Sequence, residues 1–345
     1  MNAQTTISKA EPKDQKKKKE NFKVDFEGKL TRWQRFKSRF LTFRFLKTLV
    51  LKIFQYVILI GIAYVILYPF IAKVAGSFMS KEDFMDITVK LIPKYPTLDT
   101  YKAIITENRY FEALLNTTIL SLICGVLQTV MTMVIGYGLA KFKFKGNGII
   151  FFAVIFTMIV PHQTLKLALF SKFRYFDFFG ILKATTGSTL NLINTYWPLG
   201  ILSVSGLAFK NGLYIFLMRQ FFRGVPDELE EAAYVDGSGV FKTFVRIIVP
   251  LAVPMMVTVF LFAFSWQWTD DFYSGLFFTR NSTYLMPNVV TVPASLNASG
   301  FLAAGVYSSA IINTCALLII LPLVLIYSFF QKYLVQGIER SGIVG

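Results

Sequence analysis

Apolar runs of about twenty residues recur along the chain, separated by shorter polar stretches. A helix of that length crosses the hydrocarbon core of a bilayer, and the runs are twice the length of a membrane β-strand. The pattern predicts six helical spans, near 53–72, 113–139, 149–170, 196–218, 250–272 and 304–330. Pro161-His162-Gln163 interrupts the third span, and Gly206 and Gly212 are points at which the fourth could split. The predicted class is therefore an all-α polytopic membrane protein with six transmembrane helices.

Composition agrees with this pattern. Hydrophobic residues make up 54% of the 345 and charged residues 16%, against about 25% charged in soluble domains. The net charge of +16 is concentrated at one end: fifteen of the 36 Lys and Arg precede Ile53, with five acids among them. A basic end on an apolar body fits a cytoplasmic tail over an anionic leaflet rather than a nucleic-acid partner. Within residues 1–52, Arg32, Trp33, Arg35, Phe36, Arg39, Phe40, Arg44 and Phe45 alternate cation and aromatic. They fit either an interfacial helix or a plain basic flank. An even number of spans puts both termini on one side. The short loop 141–148 and the stretch 219–246 then lie with the basic tail; the charge-balanced loop 73–112, the loop 171–194, and 273–303 with only Arg280 lie opposite, in keeping with the positive-inside rule. Cys124 and Cys315 sit inside apolar runs, and His162 is the only histidine. The common metal-ligand spacings are therefore not present, and no metal is expected.

The polar stretch 219–246 carries the most information. It reads Gly224-Val225-Pro226-Asp227-Glu228-Leu229-Glu230-Glu231-Ala232-Ala233-Tyr234-Val235-Asp236-Gly237 and runs on to Ile247-Ile248-Val249-Pro250. Pro226 suits a first helical position, the acids behind it suit the positive end of the helix dipole, and Gly237 suits a left-handed stop. Asp227, Glu228 and Glu231 share one helical face; Leu229, Ala232 and Ala233 form a small apolar surface beside it. Such a helix fits a cleft with a basic rim, or it is simply a solvated face.

The stretch resembles the Glu-Ala-Ala motif of ABC-importer permeases: Glu231, Ala232, Ala233, Gly237, Ile247 and Pro250 match at full spacing, with Val249 where leucine is usual. Phe216-Leu217-Met218-Arg219-Gln220-Phe221-Phe222 ahead of Pro226 resembles the carbohydrate-uptake branch, and within it the maltose-type G subunits. Tyr101, Asn116-Thr117, the Phe-Lys-Phe-Lys-Gly loop at 142–146 and the terminal Gly345 match as well. The resemblance covers about residues 53–345 and implies a type I ABC-importer permease fold, with a core at about 107–330 and a coupling loop at 219–246. It implies that Glu231, Ala232, Ala233, Asp236 and Gly237 form a coupling helix that docks into a separate ATPase subunit, with Glu231 pairing to a base there. It also implies a second permease subunit, two ATPase subunits, an extracytoplasmic solute-binding protein and the inner membrane of a bacterium. ATP and Mg would be bound by the ATPase; this chain has no Walker run and needs no cofactor of its own.

Substrate candidates follow from chemistry inside the apolar runs. Lys210, Lys166 and His162 are ionisable where charge is expensive. Lys210 lines a path or marks a kink; Lys166 can snorkel; His162 can serve backbone broken at Pro161. Trp266, Trp268, Asp270 and Asp271, near the outer end of the fifth span, fit sugar stacking and hydroxyl binding, or an aromatic belt. In the maltose-type systems the last outer loop approaches the binding protein, which marks Asn281, Asn288, Asn297 and Gly300. The rival readings are a permease of the same class for another solute and, more remotely, an ion-coupled secondary transporter, for which the spans lack the necessary acids.

Overall fold

The computed structural model describes Trp33 and residues 43–279, 283–297 and 303–340. Among them there is no strand, only an isolated bridge between Phe176 and Leu190. The basic tail at 1–52, with its interfacial-helix reading, falls mostly outside the described residues. The chain forms two compact units, 1–67 and 68–345.

The first helix, α1 (Phe43–Gly76), runs through the unit boundary. Its apolar side chains from Leu49 to Leu67 are exposed on all sides, including Phe54, Val57, Leu59 and Val65. A helix that is apolar all round needs an apolar surrounding, which a bilayer supplies.

The second unit is built on α3 (Tyr110–Lys141), which follows the short α2 (Asp99–Glu107). Beside α3 lies α11 (Val249–Trp268), and beside α11 lies α13 (Ala304–Arg340). Among the described residues, four helical segments are long and apolar enough to cross a membrane: Lys47–Gly76, Tyr110–Lys141, Val240–Trp268 and Ala304–Gln336. A fifth forms if the bent pair Asn147–Ile159 and His162–Arg174 is one crossing.

The six-span expectation therefore needs correction in two places. The third predicted span bends by 96° at Pro161. Helix α4 (Asn147–Ile159) ends there, and α5 (Lys166–Arg174) continues after one 3-10 turn. The small helix α6 (Ile181–Thr186) follows on the surface. The fourth predicted span is broken into α7 (Trp197–Val204) and α8 (Asn211–Arg223). Gly206 at φ +73° and Lys210 at φ +67° turn the chain between them. Left-handed backbone cannot continue a right-handed helix, so the apolar run contains two short rods.

Lipid tails are as apolar as leucine, so close packing and hydrogen bonds between helices hold such a bundle together. Gly136 shows the packing term. A Cβ placed there would lie 2.6 Å from Met218 Cβ and 3.0 Å from the Arg219 backbone nitrogen, so α3 and α8 meet only through a bare backbone. Around this contact Met133, Tyr137, Tyr214, Met218, Phe222 and Met255 form one core cluster. A second cluster joins Tyr110, Phe264, Trp268, Tyr307 and Ile311. There Trp268 Nε1 donates to the Ile319 carbonyl at 3.0 Å and Tyr110 Oη to that of Leu318 at 3.1 Å. A third holds Leu120, Phe173, Leu199, Tyr273 and Phe277, the last two on α12 (Phe272–Phe277).

The loop 283–297 is fastened to α2, α3 and the turn between them by side-chain groups. Asn108 Nδ2 donates to the carbonyls of Val289 and Thr291, at 2.9 and 2.8 Å, and Asn116 Nδ2 to that of Tyr284 at 3.1 Å. Thr117 Oγ1 accepts from the Met286 amide at 2.9 Å, and Ser295 binds the Glu107 carboxylate through both its amide and its hydroxyl. The Asn116-Thr117 pair thus has a structural task, holding that loop against the helix bundle.

Candidate functional site

The stretch after α8 folds as an elbow. Helix α9 (Glu228–Val235) is followed by a turn, a single helical turn α10 (Val240–Thr243), a π turn over Phe244–Ile248, and then α11. Asp227 is the N-cap, so Pro226 stands one residue ahead of the helix cap rather than at its first position. The stop is as the sequence predicts. Gly237 has φ +79°. The Ser238 amide donates to the Ala233 carbonyl at 2.9 Å and the Gly237 amide to that of Tyr234 at 3.0 Å. Those two bonds are the paired closure of a glycine-stopped helix.

The helix has two unlike faces. Inward, Glu230 and Ala233 are buried. Tyr137 Oη, on α3, donates to Glu230 Oε2 at 3.0 Å. Lys141 Nζ, also on α3, lies 3.5 Å from Glu230 Oε1 and 2.5 Å from Asp227 Oδ1, and donates to the Val225 carbonyl at 2.7 Å. Glu230 Oε1 accepts no hydrogen bond among the described residues, so its compensation is the nearby ammonium alone. The Lys141 ammonium also holds the Asp227 carboxyl below the ordinary carboxylate range, mainly by the hydrogen bond it donates. Outward, Glu228, Leu229, Glu231, Ala232, Val235 and Asp236 are exposed, and so is Phe241 beyond the turn. The small apolar surface expected from Leu229, Ala232 and Ala233 is split: Ala233 faces the bundle and the other two face out. Sequence reading missed Glu230. Its neighbour Glu231 belongs to the motif, and no local signal separates a buried from an exposed glutamate in a run of acids.

The second group of candidates lies at the broken helices. Lys210 Nζ sits 4.8 Å from the ring centres of both Phe209 and Trp266. His162 packs edge-on to Phe209 at 4.5 Å. The structure thus brings Lys210, Trp266 and His162 together. Asp270 lines a small adjoining cavity with Phe209 and Trp266, and the others of the set lie elsewhere. Trp268 is buried in the core against α13. Asp270 accepts from the Tyr273 amide and from the amide and hydroxyl of Ser274, at 3.0 to 3.3 Å, so it caps the start of α12. Asp271 is exposed, and Lys166 is exposed at the start of α5. Asn288 uses its side-chain oxygen on the Leu285 amide at 2.9 Å, while Asn297 is exposed. Asn281 and Gly300 lie outside the described residues.

Several long apolar helices, with one short, acid-bearing helix between two of them, define a multi-pass membrane protein. The model of the family described as "Binding-protein-dependent transport system inner membrane component" matches residues 132–340, more than half of the chain. The chain belongs to that family. Protein LplC of Bacillus subtilis (strain 168) is 26% identical over 83% of this chain and 92% of its own length. The arabinooligosaccharides transport system permease protein AraQ of the same strain is 27% identical over 81% of this chain and 91% of its own. The maltodextrin transport system permease protein MalD of Streptococcus pneumoniae (strain ATCC BAA-255 / R6) is 29% identical over 83% and 93%. A crystal structure of a bacterial ABC transporter involved in the import of the acidic polysaccharide alginate superposes with a TM-score of 0.61 at 20% identity. It covers 82% of this chain and 96% of that one. That likeness is one of fold.

Proposed function

We propose that the chain is one permease subunit of an ATP-driven importer for a sugar or oligosaccharide. It pairs with a second permease subunit, two ATPase subunits and an extracytoplasmic solute-binding protein. Counting the bent pair and the broken pair as one crossing each gives six crossings, with both termini on the cytoplasmic side of a bacterial inner membrane. The single observation that carries the reading is the two-faced elbow. Glu231 and Ala232 point away from the bundle while Glu230 is tied to α3. A helix held from behind and bare in front passes on a push; a helix solvated on all sides does not. The occupant of the bare face is an ATPase cleft with a basic rim, which matches the acids Glu228, Glu231 and Asp236 around Leu229, Ala232 and Val235. ATP-driven closure of the ATPase pair would carry the elbow with it and switch the bundle between inward and outward access. Relatives named for arabinooligosaccharide and maltodextrin transport support a sugar as the cargo.

The test is the ATPase activity of the purified complex carrying Glu231→Lys. The variant is expected to assemble in the membrane and to lose the stimulation of ATP hydrolysis by loaded binding protein. Unchanged stimulation would remove the coupling role.

A further inference from the structure

The bent pair α4/α5 and the broken pair α7/α8 enclose a cavity of about 740 Å³, lined among others by His162, Gln163, Phe209, Lys210 and Tyr273. No aspartate or glutamate lines it. Lys210 forms no ion pair among the described residues; its ammonium rests on two aromatic faces. Asp270, which lines the small adjoining cavity, has both oxygens committed to the start of α12. The left-handed backbone at Lys210 places this charge at the very start of α8, whose dipole adds positive potential there. Gln267 Nε2, in the small adjoining cavity behind Phe209 and Trp266, is a buried donor with no acceptor.

For the hydroxyl protons of a neutral sugar this wall has the Gln163 amide oxygen and the His162 ring but no carboxylate. It offers a cation, amide donors and flat rings. Lys210 is half-buried, and its ammonium has two aromatic faces beside it but no carboxylate at ion-pair distance among the described residues. We infer that the cavity accepts an acidic sugar, a uronate unit, whose carboxylate pairs with Lys210 while the C–H face of its ring lies on Trp266 or Phe209. This rests on the importer reading above and narrows its cargo to anionic saccharides.

The full-length chain in lipid nanodiscs tests it, with trigalacturonate and its fully methyl-esterified form as probes and tryptophan fluorescence as the readout. The acid is expected to give a saturable change, and the ester, of similar size but uncharged, to bind at least about tenfold more weakly. Lys210→Met is expected to lose the same factor for the acid, and Lys210→Arg to keep most of it. Acid and ester binding alike, as they would if Lys210 pairs with a neighbouring subunit's carboxylate, overturns the inference. So does no binding of the acid, or undiminished binding by Lys210→Met. The acid–ester comparison on the unaltered chain needs no variant to fold. It also needs no ATPase, so its failure and the failure of Glu231 coupling are separate results.

Discussion

Lys141→Met tests whether the elbow is held by a buried charge. The ammonium removed is 8% exposed, faces Glu230 at 9% and Asp227 at 74%, and also binds the Val225 carbonyl. The Asp227 pair is largely in water and screened, so it contributes little. Glu230 decides the outcome. At 3.5 Å and an effective dielectric constant of about 20, the gross attraction is about 5 kcal/mol. Without Lys141 the carboxylate keeps only the tyrosine hydroxyls, Tyr137 at 3.0 Å and Tyr234 at 3.5 Å. Removal of one partner from such a pair costs about 3–5 kcal/mol. Glu230→Gln alone removes the charge but leaves an acceptor for Tyr137, at a cost of about 1–2 kcal/mol. The double variant is expected to be more stable than Lys141→Met, because an amide needs no counter-ion. Unfolding of the detergent-solubilised chain in mixed micelles, followed by circular dichroism, gives the four stabilities of the cycle. A Lys141→Met chain within about 1 kcal/mol of the parent, well short of that cost, or losses that simply add in the double variant, would refute the argument.

Two further outcomes follow from the packing and the charges. The Asp227 carboxyl is held below its ordinary range by Lys141, so its contribution is present above about pH 4 and is lost as pH falls through the depressed native value. The stability difference between the parent and Asp227→Asn should therefore be constant from pH 8 to about pH 5 and vanish in stronger acid; a difference that grows on acidification contradicts the assignment. Gly136→Ala should loosen α3 from α8 and lower stability by about 1–3 kcal/mol, since the methyl group meets Met218 Cβ and the Arg219 backbone. Gly305→Ala, with nothing within 4 Å of the added carbon, is the control and should be neutral or slightly stabilising in the same assay.

Local patterns in the sequence exposed some of this structure and hid the rest. The elbow was readable because its signals are local: acids at a helix start, glycine at its end, and a motif of fixed spacing from Glu231 to Pro250. The long spans at Tyr110–Lys141 and Ala304–Gln336 were readable because length and hydropathy are local too. The break at Lys210 was not, beyond the warning from the glycines, since a lysine at φ +67° carries no composition mark. Its neighbours Trp266 and His162 come from 56 and 48 residues away in the chain. Trp266 and Trp268 look equivalent in sequence, yet two residues along a helix is about 200° of rotation. One ring therefore meets Lys210 while the other is buried against α13. Asp270 likewise reads as a sugar ligand until the backbone it caps is seen.

The break also explains how one elbow could govern a distant cavity. Helix α8 starts at the Lys210 cap and ends at Gly224, immediately before the elbow. It is thirteen residues long, or about 20 Å at 1.5 Å per residue. Its side is fixed to α3 through the bare contact at Gly136, and Arg219 Nε donates to the Leu139 carbonyl at 3.3 Å on the same pair. The elbow is fixed to α3 as well, through Tyr137 and Lys141. Elbow, α3 and α8 thus share one set of contacts, so under the importer reading proposed above a displacement of α9 would carry both rods with it. An unbroken fourth span would continue past Lys210 and spread the motion along its length. Under the importer reading proposed above, the motion would reach the start of α8, where Lys210 faces the cavity.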